Sequence, residues 1–433
     1  MGKDKNILRK ELLGIESKIK LRNGKKVCQI NFDNAATTPP LRSVVCYINE
    51  LIKYYGSIGR GTGQKSTKTT ELYNDSKEYL LDFFNVRNKD DYTVIFVNNT
   101  TDGINKIAQT LLSKDDLVLT TRMEHHSNDL PWRVNCMVDY VEVDMMGRLD
   151  YDSLNEKLNK YSGKFKFLSI AGASNVTGYI NDIHRISALV HNHGGKIIVD
   201  GAQLVPHIKV DMKGKSYNED IDFLVFSAHK LYAPFGSGVI IGRKEDFNKN
   251  FPDREGGGIV ELVKDFEVKY LETPERNEAG TPNFFGVMAM VKALKSLDQI
   301  GFDNLINREK MLFEILNKGL NSIPNVINYG DTENINDRLG ISVFNIKNLY
   351  HKDVATMLAL DKGIAVRHGM FCAHPYCRRL INIDENKLDE YLKCKNDKMP
   401  GMVRVSLSSY NTKYEIYELL NEIEYICKKY SGK

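Results

Sequence analysis

The sequence predicts an α/β protein: a large mixed, mostly parallel sheet domain flanked by helices, plus a smaller α+β domain. Three observations predict it. Short β-branched runs alternate with helical patterns through the middle of the chain. The pattern changes near Met288, where a long amphipathic stretch is under way. The polar, Gly-containing segments that could carry chemistry follow apolar runs, as at the carboxyl ends of parallel strands.

Taken in order, the first twenty residues, MGKDKNILRKELLGIESKIK, set Ile and Leu among charges at helical spacing. They lack the apolar stretch of a secretory signal, and Asn6 stands where N-myristoylation needs Ser or Thr. Strands are expected at Val94–Val97, Leu117–Thr120, Tyr140–Val143, Phe167–Ile170, Lys196–Val199, Phe223–Phe226 and Val239–Ile241. Among the intervening helices, Ile183, Ile186, Leu189 and Val190 share one face, closed by Gly194-Gly195. A helix over Val287–Leu297 leads into further helices and short strands such as Gly340–Phe344, and the polar segment 377–401 reads as an insertion or mobile loop. We expect a large domain over residues 25–290 and a smaller one over 291–433, joined by residues 1–24.

The chain has 433 residues, 60 Lys+Arg and 56 Asp+Glu, a net charge of +4. That is no electrostatic footprint for nucleic acid or an anionic membrane, and no apolar run reaches the ~18 residues of a membrane span. Seven cysteines without a signal do not read as a disulfide framework. A cytoplasmic setting is expected.

The most informative stretch is IDFLVFSAHKLYAPFGSG, residues 221–238. A partly buried lysine at a strand end, here Lys230, can have its pKa lowered enough to form a Schiff base with a carbonyl. Taken alone, a lysine snorkelling to solvent is the simpler reading. Upstream, KIIVDGAQ ends in Asp200, a carboxylate suited to a pyridinium nitrogen or, more plainly, to capping a helix. Val94–Val97 runs into NNTTDGIN, residues 98–105, a hydroxyl-rich helix start that suits a phosphate. MEHHSN, residues 123–128, brings an imidazole face toward the same crevice. Each signal is weak, but the ordered set of phosphate cup, imidazole, carboxylate and lysine reads as a site for pyridoxal 5'-phosphate (PLP).

The chain resembles the class V aminotransferase family of PLP fold type I, most closely its group II cysteine desulfurases and selenocysteine lyases. FDNAATT, FVNNTTDGIN, MEHHSNDLPW, SNVTG, VDGAQ, FSAHKLY, EAGTPN and RVSLSSYNT occur in the family's order, from Phe32 to Thr412. The resemblance implies that Lys230 bonds the cofactor and that Asp200 pairs with its ring nitrogen. It implies Gln203 and Asn175 near the phenolic oxygen and His125 stacked on the ring. Thr100, Thr101, Ser227 and His229 would hold the phosphate, with Thr281 reaching the phosphate of a second subunit in a homodimer. Arg404 would fork the substrate carboxylate, and Asn34, Ala35 and Ala36 would line the substrate side. The substrate implied is a small amino acid, with a sulfur-acceptor protein as a possible partner.

In the desulfurases the loop matching residues 365–375 carries the cysteine that attacks the substrate's sulfur, which here is Cys372. A thiolate is needed, and Arg367 is a neighbouring cation that would favour it. A small buried hydrophobe is the ordinary alternative for such a residue. The implied reaction turns L-cysteine into alanine and a Cys372 persulfide. If Cys372 carries no sulfur, the alternatives are an aminotransferase, an epimerase or a Cβ–S/Se lyase. Two departures stand out: the family's R-x-G-H-H-C is here Arg367-His368-Gly369-Met370-Phe371-Cys372, and its H-R-G-x-H is Gly59-Arg60-Gly61-Thr62-Gly63. A metal enzyme is not expected, because the sequence has neither His-Glu-x-x-His nor Cys-x-x-Cys.

Overall fold

The computed structural model describes residues 6–59, 61–387, 391 and 399–430. Seven strands form the large sheet: β1 (Tyr92–Val97), β2 (Leu117–Thr121), β3 (Met137–Val141), β4 (Phe167–Ala171), β5 (Lys196–Asp200), β6 (Phe223–Ser227) and β7 (Gly238–Arg243). Their spatial order is β1-β7-β6-β5-β4-β2-β3. Strands β6, β5, β4, β2 and β3 run parallel, and β7 runs antiparallel to both its neighbours. Central strands in such a sheet are covered on both faces, which is why they read as unbroken apolar runs. In β6, Leu224 and Phe226 enter one core cluster while Phe223 and Val225 enter another.

Of the two edge strands, β1 is buried throughout and β3 is the exception. The strand expected at Tyr140–Val143 is β3, which spans Met137–Val141 with an exposed Met137 and only Val141 buried. Its half-solvated face blurs the apolar run that marks its neighbours.

Helix α1 (Thr100–Leu111) follows β1, and α2 (Ile183–Asn192) buries Ile183, Ile186 and Val190 against the sheet side of the chain. Beyond Gly194, at φ +81°, the chain turns into β5. Helix α3 (Phe284–Ile300) runs straight through position 290, so the expected domain boundary falls inside a continuous helix. Gly301 separates it from α4 (Phe302–Ser322).

A second, four-stranded antiparallel sheet follows: β8 (Val326–Asn328), β9 (Ile341–Ile346), β10 (Arg367–Gly369) and β11 (Met402–Ser406), in the order β8-β9-β11-β10. Alternation along β11 sends Val403 and Val405 into a core shared with α4 and the C-terminal helix Lys413–Tyr430. It sends Arg404 the other way. The N-terminal helix is short, Ile7–Glu11, and is tied to the chain's C-terminal part by an Arg9–Glu415 ion pair at 2.9 Å. The segment expected as a loop from Cys377 begins inside a helix, His374–Leu380, with Cys377 buried; residues 388–390 and 392–398 of it lie outside the described residues.

Candidate active site

The strand ends open into one cavity of about 570 Å³. Lys230 reaches its wall because β6 stops at Ser227 and the chain tightens into a single 3-10 turn, Ala228–Lys230. Burial lowers the Lys230 pKa to about 8; Asp200 and, more weakly, Cys372 oppose this, while Arg404 and Arg367 reinforce it. Asp200 ends the adjacent strand, and its Oδ1 accepts the Ala202 N–H at 2.9 Å. Burial raises the Asp200 pKa, against the pull of Lys230.

On the other side of β6, α1 points its N-terminus at the cavity. Asn99 caps it by accepting the Asp102 N–H at 2.9 Å. The Thr100 N–H donates to Ser227 Oγ at 2.7 Å, the two hydroxyls lie 2.6 Å apart, and Thr101 Oγ1 lies 2.6 Å from Ser127 Oγ. Helix and sheet meet this closely because Gly103 has no side chain: a Cβ there would stand 2.6 Å from Val225. His125 accepts the Ser127 N–H through Nδ1 at 3.1 Å. Burial, with Lys230, His126 and Arg404, holds its pKa down to about 3, so the ring is neutral. His229 lies 3.3 Å from Thr37 Oγ1, its pKa lowered to about 4 by burial and Lys230. Gln203 Nε2 donates to the Ala35 carbonyl at 2.7 Å.

The smaller sheet supplies the rest. Arg404 donates through Nη1 to the Asn175 carbonyl and through Nη2 to Asp33 Oδ1, both at 2.9 Å, and its buried Nε has no partner among the described residues. The guanidinium lies 5.1 Å from the Phe371 ring centre, a cation–π contact. Phe371 and Cys372 are consecutive left-handed residues, φ +49° and +54°. Such a conformation costs roughly 1–2 kcal/mol per non-glycine residue, so it needs an external hold. Asn175 Nδ2 donates to the Phe371 carbonyl at 2.8 Å, and the His126 N–H donates to the Cys372 carbonyl at 2.6 Å. Met370 and Phe371 are buried beneath the turn, and Cys372 is exposed at the cavity.

The profile of the class-V aminotransferases matches residues 30–419. The chain belongs to the class-V aminotransferase family. A probable cysteine desulfurase of Pyrococcus abyssi is 32% identical, covering 92% of this chain and 94% of that protein. One of Synechocystis is 31% identical, with 91% and 90% covered. Among solved structures, the apo cysteine desulfurase of Thermococcus onnurineus superposes with TM-score 0.81 at 30% identity, covering 92% and 95%. The cysteine desulfurase CsdA of Escherichia coli gives 0.76 at 26% identity, with the same coverage. These likenesses establish the fold-type-I architecture of this class-V chain.

Not every residue expected at the site of this class-V chain lines the cavity. Asn34 is not among the residues that line it. It is buried, and its amide is engaged by Ser406, Asn31, Asn411 and Tyr410, leaving Ala35 and Ala36 at the cavity wall. Asn175 lines the cavity, yet its amide nitrogen is directed to the Cys372 turn. Thr281 lies in a neighbouring cavity with Asn98 and Ser237. Away from the cavity, His191 bonds Asp222 and the Asn218 carbonyl, and His193 bonds the Leu189 carbonyl and Asn159. Arg60 and Cys394 lie outside the described residues. Sequence reasoning assigns no role to Asp33, though it stands in FDNAATT, nor to His126 or His374. The His374 N–H donates to His126 Nε2 at 3.2 Å, and the two rings meet edge-on at 4.6 Å.

Proposed function

We propose that this chain is a PLP-dependent cysteine desulfurase, which takes the sulfur of L-cysteine onto Cys372 and releases alanine. One observation carries the reading: the Cys372 turn opens into the cavity lined by Lys230, Asp200 and Arg404. The desulfurase relatives supply the reaction class.

The donor set suits the cofactor. Asp200 is a buried carboxylate with no side-chain cation bonded to it among the described residues, so a protonated ring nitrogen would answer its charge. Thr100, Thr101, Ser227 and His229 at the mouth of α1 suit a phosphate, His125 offers a neutral ring face, and Gln203 and Asn175 would approach the phenolic oxygen. PLP bound here supplies an aldehyde for a lysine amine and a ring that absorbs the electron pair freed at the substrate's α-carbon.

The remaining work belongs to the chain. Lys230, neutral above about pH 8, is the amine that holds the cofactor and the base whose Nζ takes the α-proton. Arg404, at the cavity wall, orients the substrate by its carboxylate. Cys372, as thiolate, forms the S–S bond while the substrate's C–S bond breaks; the carbon is then protonated and leaves as alanine. Met370 and Phe371, buried where the family pattern has histidines, offer no proton beside the thiol.

Thr281 would serve the phosphate of a partner subunit in a homodimer, and an acceptor protein would collect sulfur from the exposed Cys372. No disulfide joins the six described cysteines, which suits a reducing cytoplasm. No helix among the described residues is long and apolar enough to cross a membrane.

Cys372→Ala tests the reading. Alanine and sulfide formation from L-cysteine should fall at least ~10²-fold, with the cofactor's visible absorbance retained. Undiminished activity would favour a lyase in which Cys372 carries no sulfur.

A further inference from the structure

Both threonines that close FDNAATT, Thr37 and Thr38, bond to the turn that carries Lys230. The Thr37 hydroxyl donates to the His229 carbonyl at 3.0 Å. Thr38 donates to the same oxygen through its hydroxyl and its N–H, each at 3.2 Å. That carbonyl belongs to the planar peptide ending at the Lys230 Cα, so fixing it fixes where the lysine leaves the backbone. Thr38 Oγ1 also accepts the Tyr232 N–H at 2.8 Å. One buried hydroxyl thus clamps the chain on both sides of Lys230. Tyr232 needs the hold, because its φ of +63° is left-handed, a conformation that a Cβ disfavours. Its own hydroxyl lies 2.5 Å from Ser408 Oγ.

The other end of the same segment is tied to β11. The Ser406 N–H donates to the Phe32 carbonyl at 2.7 Å, and the Ala35 N–H donates to Ser406 Oγ at 3.0 Å. Asp33 Oδ1 accepts from Arg404 Nη2 at 2.9 Å. Residues 32–38 therefore run as a strap from Arg404, on the small sheet, to Lys230, on the large one. An amine that takes the α-proton of a substrate held by its carboxylate must stand at a set distance from the group that holds it. Misplacement by about 1 Å can cost ~10²-fold in rate.

We propose that Thr38 is a positioning residue, which through the 32–38 strap sets Lys230 against the α-carbon of a substrate held at Arg404. The inference rests on the proposed roles of Lys230 and Arg404. If Thr38 only filled space beside the turn, its hydroxyl would be dispensable.

Thr38→Val keeps the shape and removes the hydroxyl, whereas Thr38→Ser keeps the hydroxyl and removes the methyl. In PLP-loaded protein acting on L-cysteine, Thr38→Val should lower kcat at least ~10-fold with KM within about twofold, because Arg404 is untouched. Thr38→Ser should keep kcat within about threefold of native. Native kcat in folded Thr38→Val, a loss confined to KM, or a serine variant as impaired as the valine one would each overturn the proposal. A second readout needs no turnover: reductive methylation of the cofactor-free protein, followed on the Lys230 peptide across pH. Its midpoint should lie at about pH 8 in the native protein and move toward 10.5 in Thr38→Val, as the loosened turn admits water. An unmoved midpoint overturns the proposal. Should Thr38→Val fail to fold by circular dichroism, Thr37→Val decides, because it strips a donor from the same carbonyl at an exposed residue. An unmoved midpoint there overturns the proposal equally. Absence of alanine formation from L-cysteine by the native protein would count against the desulfurase reading, while methylation would still decide the role of Thr38.

Discussion

Lys230 owes its chemistry to where β6 stops. Its folded pKa, about 8, lies below its ordinary 10.5, so between those values the unfolded chain binds more protons than the folded one. Stability of the cofactor-free protein therefore rises with pH across that window. Lys230→Met should remove this contribution and stabilise the cofactor-free protein by about 1–3 kcal/mol at pH 7, with a much smaller gain near pH 10.5. Urea melts at the two pH values measure it; an equal gain at both would show that the lysine is not depressed. The same variant should cut alanine formation at least ~10²-fold, and borohydride reduction of native, PLP-loaded protein should label the Lys230 peptide. Ser227 accepts from the Thr100 N–H and meets the Thr100 hydroxyl. Ser227→Ala should weaken cofactor affinity about tenfold, the worth of a hydrogen bond to a charged group, as read by titration of the apo protein with PLP.

The Cys372 turn is the element on which the proposed reaction depends, and its two left-handed residues are held from the large-sheet side by Asn175 and the His126 backbone. His126 accepts from the His374 N–H, so its Nε2 must be unprotonated. Burial and His374, with a smaller part from Arg133, keep its pKa below the usual value against Asp129. His126→Leu, which removes the ring's bond to the His374 N–H, should speed backbone hydrogen exchange at residues 370–374 and slow sulfur transfer while cofactor binding persists; unaltered exchange would show that the ring does not steady the turn. The turn is not legible in the sequence. The spacing of residues 365–375 gives no sign of positive φ at a phenylalanine and a cysteine, and its anchors lie some 200 residues away. The strands before Asp200 and Lys230 are legible, because a strand buried on both faces must be apolar throughout. So is the start of α1, where Asn99 caps the helix through its own side chain.

At the scale of the molecule, the site is shared between the two sheets. The large sheet supplies Lys230, Asp200 and α1, while the small sheet supplies Arg404, Arg367 and Cys372. Composition and periodicity carry the first set. The second depends on resemblance, since short strands such as β10 leave little pattern. The Asp33–Arg404 contact joins residues 371 apart in sequence, beyond any local signal, and the inward-facing bonds of Asn34 are equally invisible in its motif. The homodimer is a prediction at this same scale. Sedimentation should give a dimer, and Thr281→Ala should lower cofactor affinity without dissociating it; a stable, fully active monomer would contradict the role given to Thr281. The account as a whole stands on sulfur passing to one thiol under the control of one lysine. Peptide mass mapping after brief exposure of the PLP-loaded protein to L-cysteine tests this most directly. The account predicts one added sulfur on the Cys372 peptide, absent from Lys230→Met. Alanine formed with that peptide unmodified would contradict it.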